Sequence, residues 1–180
     1  KISVLLACLT VPVLFLASCG GGKSALVGRW LLVEGSGFDD AEFLTDGTGI
    51  VDGIEVNWKV EKNRMYVTHP QRAVSFDYQL TGSKLALTDD DGDILVYLKP
   101  GGPSVLAGSW VLSAGEFPFE RVELIKDGKG KADENSFKWA ADNEKLFIIG
   151  FGNFGYKIAG STLTLTYEGE TGETVEFKKE

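Results

Sequence analysis

Apolar and polar residues alternate with a period of two along most of the chain beyond its first 25 residues. Segments 54–60 and 162–167 show the pattern most clearly, because every second residue is aliphatic or aromatic. This period places one row of side chains in a core and the other in water, as in antiparallel β-strands. Counting such runs predicts about eight short strands in each half of the chain. We expect no helix beyond a single turn near residues 24–27.

The landmarks of the pattern occur twice, in the same order, which indicates an internal duplication. They are a Gly-x-Trp tripeptide at 28–30 and 108–110, an Asp-Gly pair at 46–47 and 127–128, and a second tryptophan at Trp58 and Trp139. Asp-Gly between two apolar runs favours a hairpin, because it tolerates the positive φ that such turns need. A sheet of this many strands tends to curl and close, which removes its edges. We therefore predict an all-β fold of two tandem small antiparallel meander barrels.

The composition between these landmarks gives the domain boundaries. We expect a cleaved signal peptide at 1–18, a lipidated cysteine and flexible tether at 19–25, β domains at 26–99 and 106–180, and a linker at 100–105. The linker is rich in proline and glycine, which indicates few contacts across it. Each half is then expected to fold by itself.

The N-terminal segment is uncharged from residue 2 to residue 18 and ends in Leu16-Ala17-Ser18-Cys19. Its apolar part is shorter than the ~20 residues that a transmembrane helix needs, and small residues precede the cysteine, as at a cleavage site. The run 16–19 resembles a bacterial lipobox. The resemblance implies cleavage before Cys19 and lipid attachment to its sulfur. Cys8 would leave with the signal, so that no disulfide would remain.

The resemblance to a lipoprotein signal also covers the residue after the cysteine, which bears on the protein's location. Glycine rather than aspartate follows Cys19, which resembles the signal for sorting to the outer membrane. We expect a protein of the cell envelope, held by its lipid, most simply on the periplasmic face of the outer membrane.

The repeated Gly-x-Trp, the Asp-Gly hairpin that follows and the tryptophan in the middle of each half make each copy similar to the short lipocalin-like domains of bacterial lipoproteins. The resemblance covers nearly the whole chain after Cys19. Each copy is about half as long as a transport lipocalin, and small barrels fill their interior with side chains. The four tryptophans are accordingly expected in the cores.

The composition gives the net charge, which argues against some classes of partner. The net charge is −8 and would be one unit more negative without Lys1, which argues against nucleic acid and against electrostatic docking onto anionic lipid headgroups. We expect a non-catalytic binding or structural module without a cofactor. The alternatives are an inhibitor of a secreted enzyme and a carrier of a small apolar ligand. The candidate partners are a protein, a glycan or such a ligand, besides the membrane.

The glycine-rich segment 150–155 is where the two copies differ most. Phe151, Asn153 and Phe154 are the candidate ligand-binding residues, because an aromatic on a glycine-rich loop is a plausible contact for a sugar or a protein. The alternative is that Phe151 folds over the end of a barrel. Phe154 also matches Phe76 of the first copy, which indicates a core position.

Two further candidates are polar. Asp89, Asp91 and Asp93 surround Gly92 and form a weak candidate calcium site, although the same residues are typical of a polar turn. His69 is the only histidine and precedes a proline in a turn. Without a second histidine or a thiolate partner, it gives neither a zinc site nor nucleophilic catalysis.

Overall fold

A computed structural model of the chain describes residues 22–168 and 172–180. It contains two closed barrels, each of eight antiparallel strands in meander order. The prediction of two tandem all-β meander barrels is therefore confirmed. The expected signal peptide and Cys19 lie outside the described residues.

The first barrel comprises one short helix and eight strands. They are α1 (Lys23–Leu26), β1 (Gly28–Glu34), β2 (Asp40–Phe43), β3 (Thr48–Val51), β4 (Ile54–Glu61), β5 (Arg64–His69), β6 (Arg72–Thr81), β7 (Lys84–Thr88) and β8 (Ile94–Leu98). Each strand pairs with the next, and β8 returns to β1, where Leu31 lies opposite Leu98.

The second barrel repeats this order without a helix. Its strands are β9 (Gly108–Ala114), β10 (Arg121–Leu124), β11 (Lys129–Ala132), β12 (Asn135–Ala141), β13 (Lys145–Ile148), β14 (Gly152–Ala159), β15 (Thr162–Tyr167) and β16 (Thr174–Lys179). The barrel closes between β16 and β9, where Lys179 lies opposite Trp110.

The two ends of each barrel differ, and we name them separately. The closed end is covered by the segment before the first strand, 23–27 in the first barrel and 103–107 in the second. In the first barrel it also carries the connections 44–47, 62–63 and 82–83, whereas the mouth carries 35–39, 52–53, 70–71 and 89–93. In the second barrel the closed end carries 125–128, 142–144 and 160–161, and the mouth carries 115–120, 133–134, 149–151, 168 and 172–173.

The Asp-Gly pairs form the predicted hairpins at the closed ends. Gly47 has a φ of +93° and Gly128 a φ of +78°, which L-residues with a Cβ rarely adopt. Asp46 stabilises its turn because its carboxylate accepts hydrogen bonds from the Thr48 amide at 2.9 Å and hydroxyl at 2.7 Å. The duplication therefore repeats the turn chemistry as well as the strands.

The predicted tether and the predicted linker both contain packed residues. Lys23 begins α1 inside the predicted tether 19–25, and Leu26 of that helix is fully buried in the first core. In the predicted linker, the Gly101 amide donates to the Trp139 carbonyl at 2.9 Å and the Ala141 amide donates to the Gly101 carbonyl at 2.7 Å. Each barrel thus uses its leading segment to cover its closed end.

Candidate functional site

The interior of the first barrel is filled by its own side chains. The space that remains among the inward-facing residues is about 10 Å³, lined by Trp30, Phe76, Tyr97 and their neighbours. A single water needs about this volume, and ligand pockets are typically about 300–1,000 Å³. The interior therefore has no room for an apolar ligand in this conformation.

The second barrel carries a bulkier group at one matching position. Phe137 takes the place that Val56 has in the first barrel, and its ring is buried. Gly130 makes room for the Phe137 ring, because a Cβ there would lie 2.2 Å from a ring carbon. The Phe137 ring therefore depends on glycine at position 130.

The tryptophans form the closed ends, which confirms that they are core residues. Trp30 Nε1–H donates to the Leu26 carbonyl at 2.8 Å, and Trp110 repeats this bond to Leu106 at 2.7 Å. Trp58 Nε1–H is shared between the carbonyls of Leu44 and Thr48. Satisfied indole donors and near-complete burial are typical of structural tryptophans.

Trp139 matches Trp58 in the second barrel, where its Nε1–H is shared between two carbonyls at 2.9 Å each. The faces of the rings are covered differently. Lys23 Nζ lies 5.0 Å from the centroid of Trp58, whereas Gly102 of the linker packs against Trp139. The linker therefore covers a tryptophan ring in the second barrel, as the helix α1 does in the first.

The mouth of the second barrel is roofed by aromatic rings. Phe117 contacts the buried ring of Phe177 edge-on, with centroids 5.2 Å apart, and also contacts Phe154. Phe151 packs edge-on against Phe119 at 4.8 Å but remains 41% exposed. Phe151 therefore folds over the barrel end and still presents part of its ring to solvent.

The structure does not bring the three candidate ligand residues together. Phe154 is 1% exposed and lies in the core, whereas Phe151 lies at the mouth. Asn153 lines a groove of about 330 Å³ on the outer wall. Successive residues of β14 point to opposite faces, so Asn153 and Phe154 are on different sides of the wall. Of the three, Phe151 alone belongs to the mouth surface.

The acidic segment 89–93 forms a turn at the mouth of the first barrel. The Asp89 carboxylate accepts hydrogen bonds from the amides of Asp91 at 3.0 Å and Asp93 at 2.9 Å, as in an Asx turn. Asp90 forms an ion pair with Arg64, and this hydrogen bond raises the pKa of Arg64. Within residues 22–168 and 172–180, no three histidine, cysteine or acidic side chains converge in a way that could hold a metal ion.

The mouth of the first barrel is more polar than that of the second. The Arg72 guanidinium lies 5.6 Å from the centroid of Phe38, and a groove of about 340 Å³ runs from this pair to the acidic turn. Burial raises the pKa of the Tyr97 hydroxyl, which bonds to the backbone of Phe38. His69 lies nearby, where its Nδ1 accepts a hydrogen bond from the Gln71 amide at 3.3 Å.

Comparisons with models of protein families, with curated proteins and with solved structures found no match for this chain. In the described part of the chain, no helix is both long and apolar enough to cross a membrane. Function therefore rests on the geometry of the chain's own residues.

The two barrels contact each other through outward-facing apolar residues, which we call the joint. It consists of Leu31, Leu98, Ala140 and Phe147, all less than 9% exposed. Beside it, Lys138 Nζ donates to the Asp40 carboxylate at 2.6 Å, and Arg29 Nε donates to the same carboxylate at 3.0 Å. The expectation of few contacts between the repeats is wrong, because both barrels have an apolar outer face.

Sequence reasoning missed the joint, although a signal for it exists. The runs 30–33, 96–98, 139–141 and 146–149 are apolar at consecutive positions and so break the alternation. A strand that is apolar on both faces is buried on both. These four runs contribute every residue of the joint, and the first two lie on β1 and β8, which are paired.

Proposed function

We propose that this chain is a lipid-anchored protein of the bacterial cell envelope whose barrels act as a non-catalytic binding or structural module. The lipobox-like run that ends at Cys19 supports the anchor. The first barrel begins close behind it, since α1 starts at Lys23. Four residues of extended chain reach at most ~14 Å, so a lipid on Cys19 would hold the closed end of the first barrel near the membrane.

The filled interior is the observation that carries the binding or structural role. With about 10 Å³ left inside the first barrel, a partner has to be bound on an outer surface. The mouths are suited to this, because they lie opposite the anchored end. The grooves at the mouth of the first barrel and beside the joint are wide enough for side chains of a protein or for a glycan.

Inhibition of a secreted enzyme is a second candidate, and Phe151 favours it. Its ring is 41% exposed at the mouth of the second barrel and is fixed by contacts with Phe119 and Phe137. A rigid, partly exposed aromatic ring is typical of residues that dominate binding at protein interfaces. Transport of an apolar ligand has less support, because the first barrel would have to open.

Fractionation of cells tests the anchor, and the chain supplies its own control. Cys19→Ala should leave the protein without incorporated fatty acid and move it from the membrane to the soluble fraction. Cys8→Ala should change neither property, because Cys8 lies before the cleavage site. Membrane association of Cys19→Ala equal to that of wild type would contradict the anchor.

Titration with an apolar fluorescent dye, such as N-phenylnaphthylamine, tests the filled interior. We expect no saturable one-to-one binding by the folded chain. Saturable binding with one or two sites would show that the barrels open, and transport of an apolar ligand would then replace the surface role.

A further inference from the structure

The mouths of the two barrels keep a matching phenylalanine beside a matching acid. In each barrel, the acid that ends the first mouth connection accepts a hydrogen bond at its carbonyl from an amide of the first strand, at 3.0 Å for Asp39 and 2.8 Å for Glu120. The residue before each acid is a half-buried phenylalanine, Phe38 in the first barrel and Phe119 in the second. The duplication has therefore kept an aromatic ring next to a carboxylate at both mouths.

The first of these rings carries a cation from its own chain. The Arg72 guanidinium lies 5.6 Å from the centroid of Phe38. Arg72 stands four residues before the core residue Phe76, whereas Gly150 stands four residues before the matching Phe154. In the described part of the chain, no lysine or arginine lies over the corresponding ring of the second barrel. The second mouth thus keeps the ring and the acid without the cation.

A neighbouring phenylalanine contacts the ring instead, which creates an aromatic surface. Phe151 packs edge-on against Phe119 with centroids 4.8 Å apart, and the centroid of Phe117 is 6.1 Å from that of Phe119. Phe151 is 41% exposed, and the other two rings are half-buried. The face of such a ring is negative and attracts cations. We call Phe117, Phe119 and Phe151 the aromatic mouth.

The connections that form this end of the barrel are acidic. Segments 115–120, 133–134, 149–151, 168 and 172–173 contain no lysine or arginine but six acids, Glu116, Glu120, Asp133, Glu134, Glu168 and Glu173. Cations of the adjoining strands do not cancel this charge. Lys145 is paired with Glu168 at 2.8 Å and Arg121 with Glu180 at 2.6 Å. Lys131, near the end of β11, is then left against the five remaining acids.

Several of these carboxylates lie beside the rings. Glu116 and Glu120 are exposed and flank the segment 117–119, which contributes two of the three phenylalanines. The Arg121 amide donates to the Asp133 carboxylate at 3.3 Å, which places this aspartate next to Glu120. A cation that lies over the rings therefore has carboxylates at its edge.

We propose that the aromatic mouth binds a basic segment of a partner protein, with an arginine side chain of that segment over Phe119 and Phe151. The contact repeats between two molecules what Arg72 and Phe38 form within the first barrel. Carboxylates at the rim give charge-assisted hydrogen bonds to a guanidinium, and the negative charge favours a cationic segment over a neutral glycan. This inference rests on the proposed binding role of the outer surfaces and names the chemistry of the partner.

Peptide titration followed by amide NMR tests this inference. The chain from residue 20 onward contains both barrels, and the probe is the capped peptide Ser-Gly-Arg-Gly-Arg-Gly-Ser. Its control carries citrulline at both arginine positions, which keeps the shape and removes the charge. We expect saturable binding of the arginine peptide with a Kd below about 1 mM, the largest shift changes within 116–120 and 150–152, and no binding of the citrulline peptide.

Variants separate the contact with the rings from a general attraction between charges. Phe151→Ala should weaken binding about fivefold, whereas Ile50→Ala, which truncates a residue of similar exposure on the first barrel, should leave it unchanged. Glu120→Gln should weaken binding about threefold, and Glu55→Gln, which changes an exposed acid of the first barrel, should have no effect.

Three results would overturn the inference. They are no saturable binding of the arginine peptide, equal binding of the citrulline peptide, and equal affinities of wild type and Phe151→Ala. If Phe151→Ala loses its dispersed spectrum, the exposed substitution Glu120→Gln decides instead, and an unchanged affinity would then contradict the proposal. The measurement needs no lipid and no open barrel. Its failure would therefore remove the basic partner and leave the anchor and the filled interior to the fractionation and dye experiments.

Discussion

The two barrels share their closed ends almost bond for bond and differ at their mouths. At each closed end a tryptophan donates to the carbonyl four residues before it, and a lysine two residues after the last inward-facing residue lies over the same ring. The mouths differ. The mouth of the first barrel has an Arg72–Phe38 contact and an acidic turn, whereas the mouth of the second has a cluster of phenylalanines. The shared part closes the barrel, and the variable part provides the surfaces that we propose for binding.

The largest expected loss of stability comes from substitutions at the closed ends, which both barrels share. Trp139→Ala and Trp58→Ala should each lower the free energy of unfolding by about 3–5 kcal/mol, the cost of truncating a buried aromatic. Each change also removes an indole donor that two carbonyls share. Chemical denaturation measures both values. Midpoints that barely shift would mean that the rings do not hold the barrels closed.

The next largest loss of stability distinguishes the mouth of the second barrel from that of the first. Phe117 packs against four rings, so Phe117→Ala should destabilise the protein by about 2–3 kcal/mol, less than for a fully buried ring. Phe38→Ala should cost less, about 1–2 kcal/mol, because this partly buried ring packs at the edge of the core and adds only a cation–π contact with Arg72. Equal losses in denaturation experiments would remove the distinction between an apolar and a polar mouth.

A smaller effect tests the contact between the barrels and depends on pH. Burial raises the pKa of Asp40, but hydrogen bonds from Arg29 and Lys138 outweigh this, so that the pKa lies below its usual value of 3.8. A lowered pKa stabilises the folded state above pH 3.8, and this stabilisation is lost as the pH falls through the folded-state value. Asp40→Asn should therefore cost about 0.5–1 kcal/mol near pH 7, a range reduced for solvent exposure.

The control for this measurement is Asp39→Asn, which changes the exposed neighbouring aspartate. The difference between wild type and Asp40→Asn in urea denaturation should shrink as the pH falls below 3.8. A loss that is the same at pH 3 and pH 7 would show that the charge of Asp40 does not stabilise the contact.

The smallest effect compares the matched cation–π contacts. Lys99→Met and Lys179→Met keep the aliphatic part of the chain and remove the charge over Trp30 and Trp110, at 5.2 and 5.0 Å. Each should cost about 0.5–1 kcal/mol in thermal or chemical denaturation. A loss confined to one barrel would mean that the two closed ends are not equivalent in energy.

Local patterns in the sequence were enough to predict the fold. Alternation placed Trp58 and Leu163 inward, and the Asp-Gly pairs marked the hairpins, because both signals act over a few residues. The packing of Lys23 and Gly101 could not be predicted in this way. Gly101 is bonded to Trp139, and that contact depends on how distant strands close.

The candidate site was harder to predict for the same reason. Phe151 was placed correctly as a residue of a barrel end, but Asn153 and Phe154 were grouped with it by nearness in sequence, although strand pleating separates them.

Separate expression of the halves tests most directly that the chain consists of two barrels with independent cores. Residues 22–99 and 100–180 each contain eight strands and the segment that covers their closed end. We expect two dispersed amide NMR spectra that together reproduce the spectrum of the whole chain, except for residues near Leu31, Leu98, Ala140 and Phe147, which lose their partner. A half that is collapsed or unfolded while the whole chain is ordered would contradict this account, because the two copies would then depend on one shared core.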